Sequence, residues 1–349
     1  MSIQITPVTL ADTAAVDAYF AVQMVMHERE VPNWPKPKRV LTDLSFEFPW
    51  PGSKAENYVV TLDGEPAGYV DMSFPTENNT TRCQFDFAVV PAFRGRGFGR
   101  ELLAFAEERA RANDRVSVTT NTAWNLRDLG LTAVDQAGIE FARRQPEYRE
   151  ALPEVNRVLY VKDVDEAVLE KIHDHARSKA DGYRIVRWLD GAPEEFVQDV
   201  AYLDGRLMQD APMGDTGWEA AEVTTARVRR DEKCAKDRGR SAYNTGVVHE
   251  ESGKLIAWTA IGTQDIEPYY GWQHITIVDP AHRGHRLGAL VKVENYRYLM
   301  ENMPEVSVIN TFNAAENSYM ISINEEMGFR PQYAFQNWRR DFGEAEAAE

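Results

Sequence analysis

Glycines and arginines that could bind phosphate occur twice in this chain of 349 residues. The first phrase, Val-Val-Pro-Ala-Phe-Arg-Gly-Arg-Gly-Phe-Gly, spans 89–99, and the second, Val-Asp-Pro-Ala-His-Arg-Gly-His-Arg-Leu-Gly, spans 278–288, displaced by 189 residues. Each phrase lies where a strand-like segment gives way to a helical pattern, so its backbone N–H groups are expected at a helix N-terminus. Arginine side chains there add charge-assisted contacts. Both phrases therefore predict a site for phosphate.

The glycine spacing does not fit two common phosphate-binding loops. Neither phrase carries the trailing acidic residue of the dinucleotide fingerprint, and neither ends in Gly-Lys-Ser or Gly-Lys-Thr as a P-loop does. The plain alternative is a tight strand-to-helix turn that binds nothing. Gly95, Gly97 and Gly99 favour a ligand, because they leave room for it to approach main-chain N–H groups. We therefore predict a pyrophosphate other than that of NAD or a nucleoside triphosphate.

The repeat extends beyond these phrases. A turn at 62–65 has its counterpart at 251–254, and the Val-Ser-Val at 116–118 returns at 306–308. Self-similarity that keeps its register indicates that a whole fold has been duplicated. We expect two domains, 1–165 and 166–349, which meet in the charged, mobile-looking stretch at 163–179.

Hydrophobic periodicity predicts a similar order of elements in both halves. The first half reads as a strand at 3–10, a helix at 11–30, a hairpin around 63–64, a strand at 84–90, a helix at 99–112 and a strand at 116–120. The second reads as a strand at 183–188, helices within 193–236, a hairpin at 252–253, a strand at 272–278, a helix at 289–300, a strand at 306–311, a helix at 316–327 and a closing strand pair. The loop at 31–51, with Trp34 and Trp50, is long enough to cover a ligand. We expect an α/β fold in which each domain has a mixed, mostly antiparallel twisted sheet flanked by helices.

Composition excludes several classes of protein. With 43% hydrophobic and 27% charged residues, the chain can form a globular core in each half. The formal net charge of −16 argues against nucleic acid and favours a cationic partner. No apolar run is long enough to cross a membrane and no signal-peptide pattern is present, so we expect a cytoplasmic protein, either monomer or homodimer. Cys83 and Cys234 lie in different halves, which predicts buried free thiols.

The loop pattern is specific enough to suggest a family. Arg-x-x-Gly-x-Gly after Val-x-Pro, in the order strand, loop, helix, strand, resembles the acyl-CoA-binding signature of the Gcn5-related N-acetyltransferase (GNAT) family. Arg94, Gly97 and Gly99 meet the pattern fully, whereas the second copy has Arg286 in place of the first glycine. The resemblance covers most of the chain, and duplicated members such as the mycothiol synthase-like tandem proteins of actinobacteria are similar in length and plan.

The resemblance implies acetyl-CoA as the cofactor, with the strand before each loop pairing with the pantetheine arm. The N–H of Val89 or Val278 would then face the thioester oxygen. The residues expected to contact the cofactor in the first half are Phe87, Ala88, Val89, Arg94, Gly95, Arg96, Gly97, Phe98, Gly99 and Asn125. Those expected in the second half are Thr276, Ile277, Val278, Arg283, Gly284, His285, Arg286, Leu287, Gly288 and Asn317.

A second family signature places an asparagine, a tyrosine acid and Gly-Phe after the loop. Asn317 and Gly328-Phe329 match it in the second half, but Asn324 occupies the tyrosine position and Tyr319 is the neighbouring candidate acid. The first half has lost more of this signature, with Val134 at the tyrosine position. These matches favour the second half slightly for chemistry and the first for tight CoA binding.

A general base is expected on the strand before the loop, where Asp86 and His274 are available. The plain alternatives are a solvated or cross-strand-paired carboxylate and a hydrogen-bonded core histidine. His282 and His285 are three residues apart, but no third ligand is near them in sequence, so phosphate contact or simple exposure is the better interpretation and no metal is expected.

The favoured function is transfer of acetyl from acetyl-CoA to a primary amine of a small molecule, by direct attack in a ternary complex, and the net charge favours a cationic molecule. An antibiotic biosynthesis or resistance pathway fits such a substrate. The alternatives are a non-catalytic acyl-CoA sensor or scaffold, which the missing tyrosines would explain, and a protein N-acetyltransferase.

Overall fold

The computed structural model describes residues 3–343, and each of its two units contributes six β-strands. The chain divides into two units that interleave in sequence. The first comprises Met1–Pro153, Met213–Trp218 and Tyr333–Glu349, and the second comprises Glu154–Pro212 and Glu219–Gln332. The boundary near residue 165 stays a prediction for the extent of the duplicated segments.

The strands, in chain order, are β1 (Ile3–Pro7), β2 (Ser53–Leu62), β3 (Glu65–Pro75), β4 (Arg82–Val89), β5 (Ser117–Trp124), β6 (Arg149–Tyr160), β7 (Tyr183–Leu189), β8 (Arg240–His249), β9 (Leu255–Gln264), β10 (Tyr270–Val278), β11 (Val308–Ala314) and β12 (Arg330–Asp341). The helices are α1 (Thr13–Glu30), α2 (Arg39–Glu47), α3 (Phe98–Ala112), α4 (Ala137–Ala142), α5 (Glu166–Arg177), α6 (Val197–Asp210), α7 (Thr225–Asp237), α8 (Leu287–Asn302) and α9 (Ser318–Glu326).

The six strands of each unit include one that lies far from the others in sequence. The first unit has the order β1-β2-β3-β4-β5-β12, so its sixth strand comes from the C-terminal segment. The second has the order β7-β8-β9-β10-β11-β6, and its sixth strand precedes the other five in sequence. The pairs β4–β5 and β10–β11 are parallel, and the other pairings within each unit are antiparallel. The mixed, mostly antiparallel sheets with flanking helices confirm the expected fold class.

Three expectations about elements are wrong. The presumed loop at 31–51 contains α2, which Arg39 and Asp43 support by an i,i+4 ion pair of 2.8 Å. The mobile-looking stretch at 163–179 is largely α5, whose N-cap Asp165 accepts from the N–H of Ala167 at 2.9 Å. The closing strand pair is the single strand β12, because the other expected partner is absent from the described residues of that segment.

Separate cores fill the two units. The first packs Phe74, Phe85 and Leu102 against Trp338 of β12, and the second packs Leu159 and Phe329 with apolar residues of α8. Cys83 and Cys234 are buried free thiols, which confirms that expectation. Within residues 3–343, no helix combines the length and hydrophobicity that a membrane span needs.

Candidate functional site

Diverging strands open a cavity in the first unit. β4 and β5 pair only from Arg82 opposite Ser117 to Gln84 opposite Thr119, and they separate beyond that point. A cavity of about 700 Å³ lies there, lined by both strands and by residues of α1, α3 and α4. β10 and β11 also pair over three residues, from Tyr270 opposite Val308 to Trp272 opposite Asn310. Both units therefore have a parallel strand pair that separates after three paired residues.

The first glycine-rich phrase forms one wall of this cavity. Gly97 is the N-cap of α3 and has a left-handed φ of 94°, a conformation that glycine adopts at little cost. The first intrahelical bonds are those that Arg100 and Glu101 make to the carbonyl of Gly97. The N–H groups of Phe98 and Gly99 consequently have no acceptor within the helix. These groups and the positive end of the helix dipole create a site for an anion.

Arg94 braces this loop internally. Its Nε donates to the carbonyl of Val89 at 2.8 Å, and its Nη1 lies 2.6 Å from a carboxylate oxygen of Asp135. Arg96 is exposed, and its guanidinium lies 5.7 Å from the centroid of the Phe93 ring. The main chain of the loop thus faces the cavity while Arg94 holds the loop in shape.

The exposed edge of β4 supplies a further donor. The N–H of Val90 bonds to the carbonyl of Ala67 in β3 at 2.8 Å. Because N–H directions alternate along an antiparallel strand, the N–H of Val89 points to the opposite side, into the gap beside β5. With Phe87, Ala88 and Phe98 also lining the cavity, the first unit presents a strand edge and a helix N-terminus to one ligand. This arrangement fits a long molecule with an amide-bearing arm and a pyrophosphate, as CoA is.

A carboxylate pair lies on the strands behind this edge. Asp86 of β4 lines the cavity and stands directly opposite Asp71 of β3. The Tyr69 hydroxyl donates to Asp86 at 2.9 Å, whereas Asp71 accepts from Tyr19 at 2.6 Å and from Asn57 at 2.7 Å. Like charges opposite each other in a sheet are destabilising, so their presence indicates a role that offsets the cost.

Desolvation dominates the acidity of both carboxyls. It raises the pKa of Asp86 to about 6, against the hydrogen bonds from Tyr69 and the backbone of Phe87, which lower it. It raises the pKa of Asp71 to about 7, and there the bonds from Tyr19 and Asn57 act in the opposite direction. Asp86 is therefore mostly ionised at neutral pH and can accept a proton.

A third carboxyl reaches the same cavity from α1. Met26 and Glu30 are four residues apart, hence on one face of the helix, and both line the cavity together with Asp86. Among residues 3–343, the Glu30 carboxylate has no hydrogen-bond partner. Desolvation raises its pKa to about 8, aided by the negative charges of Asp86 and Asp135 and opposed by Arg94. Arg94 is the cation that acts on Glu30, and it is itself paired with Asp135.

The asparagines of the first half have different environments. Asn121 lines the cavity. Asn125 is engaged within the protein, because its Oδ1 accepts from the N–H of Ala133 and its Nδ2 donates to Gln136, each at 2.8 Å. Its contact with a cofactor stays a prediction.

The second phrase repeats the backbone conformation with other side chains. Arg286 is the N-cap of α8 and is left-handed, with φ 54°, where the first copy has Gly97. An L-residue pays about 1–2 kcal/mol for this conformation. Arg286 pairs with Glu326 at 3.2 Å and Arg283 with Asp210 at 2.9 Å, so both cations have carboxylate partners inside the unit. His285 contacts the carbonyl of Lys179 at 3.1 Å.

The candidate acids and bases of the second half differ in burial and in their hydrogen bonds. Although solvent reaches the His274 ring, desolvation by the surrounding protein and the charge of Arg240 lower its pKa to about 4. Asn324 is fully buried and donates to Asn313 at 2.7 Å. Tyr319 is 59% exposed, and its hydroxyl lies 3.6 Å from the position a Cβ would take on Gly288. Asn317 caps α9 by accepting from the N–H of Met320 at 3.2 Å.

The remaining predicted residues of the second half follow the strand and helix. Thr276, Ile277 and Val278 end β10 after a bulge between Gln273 and Thr276, and Leu287 and Gly288 are buried at the start of α8. The hydrogen bond from the N–H of Asp279 to the carbonyl of Ile256 leaves the Val278 N–H pointing toward β11. Gly284 has a left-handed φ of 90° in the loop between.

Sequence reasoning missed three residues of the first unit. Glu30, Tyr69 and Asp71 lie on α1 and β3, far in sequence from the glycine-rich phrase. The alternation of polar Tyr69 and Asp71 with buried Gly68, Val70 and Met72 was a signal for residues on one face of β3.

The comparisons with known proteins agree with this geometry. The profile of the "Acetyltransferase (GNAT) family" matches residues 23–133, a range that includes Glu30, Asp86 and the first phrase. A tandem GNAT protein from the clavulanic acid biosynthesis pathway, determined without acetyl-CoA, is 28% identical with a TM-score of 0.80, over 98% of this chain and 99% of that one. A GCN5-related N-acetyltransferase from Sphaerobacter thermophilus has the same fold, with a TM-score of 0.64 at 15% identity over 97% of this chain and 95% of that one. No curated protein is significantly similar in sequence.

Proposed function

We propose that this chain, which has a GNAT-family domain at residues 23–133 and the fold of a tandem GNAT protein, is an acetyl-CoA-dependent acetyltransferase whose first unit acetylates a primary amine of a small cationic molecule. The cavity carries this proposal, since it brings an anion-binding helix N-terminus and the carboxyls of Glu30 and Asp86 to one space. The second unit is then a scaffold or a regulatory site. Its loop arginines pair with Asp210 and Glu326, which supports that division of labour.

Acetyl-CoA supplies the acetyl group as a thioester. In the first unit the N–H groups of Phe98 and Gly99 would hold the pyrophosphate, and the exposed edge of β4 would hold the arm. The Val89 N–H faces the gap between the strands, where it can donate to the thioester oxygen as negative charge develops there.

Asp86 is the proposed general base. The substrate nitrogen must lose a proton as it bonds to the acyl carbon, and the carbon–sulfur bond breaks in the same transfer. Asp86 lies on the strand next to the exposed edge and is ionised above pH 6, so its carboxylate can take that proton directly or through a water molecule. Tyr69 orients the carboxylate, because its hydroxyl donates a hydrogen bond to Oδ2 of Asp86.

Glu30 and Asp86 give the substrate its proposed chemical class. Both line the cavity, and Arg94, the cation that acts on Glu30, is paired with Asp135. Glu30 is mostly protonated at neutral pH while the site is empty, and a substrate with a second positive charge beside its reactive amine would pair with its ionised form and offset the cost of burying that charge. The similar tandem protein of the clavulanic acid pathway supports a small molecule of an antibiotic pathway as substrate.

A panel of amines tests this proposal. CoA release and product mass are measured with monoamines, diamines, amino sugars and a lysine-containing peptide, with the matching alcohols as controls. We expect turnover with small amines and about tenfold higher kcat/KM for dications, as one added charge-assisted contact would give. Binding of acetyl-CoA without turnover across the panel would indicate a sensor, and turnover of the peptide alone would indicate a protein acetyltransferase.

A further inference from the structure

Two arginines line the cavity of the first unit beside the start of α3. Arg100 directly follows Gly99 in α3, Arg144 lies in the turn after α4, and both belong to the cavity wall. The two elements meet at Phe141, whose ring lies 3.0 Å from the position that a Cβ would take on Gly99. Because Arg144 follows Phe141 by only three residues, both guanidinium groups can reach the same part of the cavity.

The protein leaves both of these side chains available to a ligand. In the described part of the chain, residues 3–343, the Arg100 guanidinium has no ion pair and no hydrogen bond. Arg144 lies 3.7 Å from the carboxylate of Glu140, and these two side chains are 76% and 66% exposed. An exposed pair at this distance contributes little to stability, so an anionic ligand can replace Glu140 at low cost.

Other arginines of this region are engaged by the protein itself. Arg94 holds the loop through the two contacts described above. Arg96 donates to the carbonyl of Ala92 at 3.2 Å. The guanidinium of Arg143 lies 4.8 Å from the centroid of the Trp124 ring, and Arg143 does not line the cavity. Arg100 and Arg144 therefore differ from their neighbours in facing the cavity without a strong partner.

An anion already has a place next to these arginines. The N–H groups of Phe98 and Gly99 would hold a pyrophosphate, but such groups bind the pyrophosphate of any nucleotide. CoA differs from NAD and ADP in a further phosphate on the 3′-oxygen of its ribose. A phosphate monoester carries about −1.5 to −2 charges at pH 7. The planar guanidinium group of arginine forms charge-assisted hydrogen bonds that match the geometry of phosphate.

We propose that Arg100 and Arg144 bind the 3′-phosphate of CoA and so select CoA over nucleotides that carry a pyrophosphate alone. Arg100 is adjacent in sequence to the N–H groups that would hold the pyrophosphate, and the Phe141 contact brings Arg144 to the same place. This inference rests on the proposed function, in which the first unit binds acetyl-CoA. It assigns the two arginines to cofactor selection and leaves Asp86 and Glu30 to the amine.

Isothermal titration calorimetry of the full-length chain with acetyl-CoA and acetyl-dephospho-CoA tests the inference, because these ligands differ in the 3′-phosphate alone. The wild type should bind acetyl-CoA at least about tenfold more tightly, as charge-assisted hydrogen bonds would give. Arg100→Gln and Arg144→Gln should each lose part of this preference by weakening the binding of acetyl-CoA. The double variant should bind both ligands alike, with the affinity that the wild type has for acetyl-dephospho-CoA.

Arg143→Gln is the matched control, since it removes the same charge from the same turn. It should keep the full preference for acetyl-CoA, because Arg143 contacts Trp124 and not the cavity. Added salt should reduce the preference of the wild type, since ions screen exposed charges. Thermal unfolding without ligand establishes that each variant is folded.

Three results would overturn the inference while the proposed function stands. They are equal affinity of the wild type for the two ligands, variants that weaken both ligands to the same extent, and a preference that persists in the double variant. Failure of the wild type to bind acetyl-CoA at all would contradict the proposed function as well.

Discussion

The Tyr69 hydroxyl donates a 2.9 Å hydrogen bond to Oδ2 of Asp86, across the strand pair that forms the back of the cavity. Burial, and then the negative charges of Asp86, Glu30 and Asp71, raise the pKa of Tyr69, so its hydroxyl stays a donor. This bond opposes the desolvation of Asp86 and keeps the carboxyl ionised at neutral pH. A base that is buried enough to be shielded and still ionised is what proton removal from an amine requires.

Asp86→Asn should reduce kcat by about 10²–10⁴-fold, because an amide cannot accept the proton of the substrate amine. In the wild type, kcat should rise with pH through about 6 as Asp86 loses its proton, and the variant should lack this limb. Steady-state CoA release from pH 5 to 9 measures both effects.

Tyr69→Phe is the control for this substitution. Losing its hydrogen bond should move the acid limb to higher pH, because that bond lowers the pKa of Asp86, while activity at high pH is largely kept. An Asp86→Asn enzyme with kcat within threefold of wild type would refute the assignment of the base.

Glu30→Gln should stabilise the protein at alkaline pH. The folded-state pKa of Glu30 is about 8, above its ordinary value, so its contribution to stability is complete at low pH and is lost as pH rises through 8. A glutamine avoids that loss, and the free energy of unfolding at pH 9 should rise by on the order of 2 kcal/mol.

Urea unfolding at pH 6 and pH 9 measures the effect of Glu30→Gln, and the gain should be larger at pH 9. Glu28→Gln, on the exposed side of the same helix, is the matched control and should change little at either pH. Equal stability of both variants at pH 9 would show that Glu30 is not desolvated as described.

The first unit needs β12, its sixth strand, so we expect a fragment without that strand to fold poorly. β12 pairs with β5 from Ala334 opposite Trp124 to Asp341 opposite Ser117. Trp338 is 3% exposed, donates to the Thr122 hydroxyl at 3.0 Å and belongs to the core of this unit. A fragment of residues 1–165 should therefore lack a cooperative unfolding transition, since it loses a strand and a core tryptophan worth about 3–5 kcal/mol.

Appending residues 330–343 to this fragment through a flexible linker should restore cooperative thermal unfolding. The same linker followed by that segment with Trp338→Ala is the control, and it should not restore folding. If residues 1–165 alone unfolded as cooperatively as the extended fragment, β12 would not be an essential part of the first unit.

Much of the fold could be predicted because its constraints act locally. Left-handed backbone and exposed N–H groups favour glycine, so both phrases contain glycines. Because the phrase is duplicated, this pattern can be recognised twice in the sequence. The sequence did not indicate which unit β6 and β12 join, because the residue pattern of a strand specifies its buried face and not its neighbouring strands. Trp338 reads equally well as a core residue of either unit.

The candidate site was harder to predict than the fold. Asp86 could be found because it precedes the phrase on the same strand, but Glu30 reaches the cavity through the packing of α1 on β4. The residues that favoured the second half have structural roles: Asn317 caps α9, and Phe329 is 2% exposed in the core. The contact of Asn317 with a cofactor stays a prediction. A match to a sequence pattern did not distinguish these roles from contact with a ligand.

The most direct test of the account compares Gly99→Glu with Gly288→Glu, the same position in the two phrases. Each places a carboxylate at a helix N-terminus that would otherwise hold a pyrophosphate. At Gly99 a Cβ would lie 3.0 Å from the Phe141 ring, and at Gly288 it would lie 3.5 Å from Ile323, so thermal unfolding of each variant must first show an intact fold. With folded proteins, acetyl transfer should be lost in Gly99→Glu and retained in Gly288→Glu. Loss of transfer in Gly288→Glu with full activity in Gly99→Glu would contradict catalysis by the first unit.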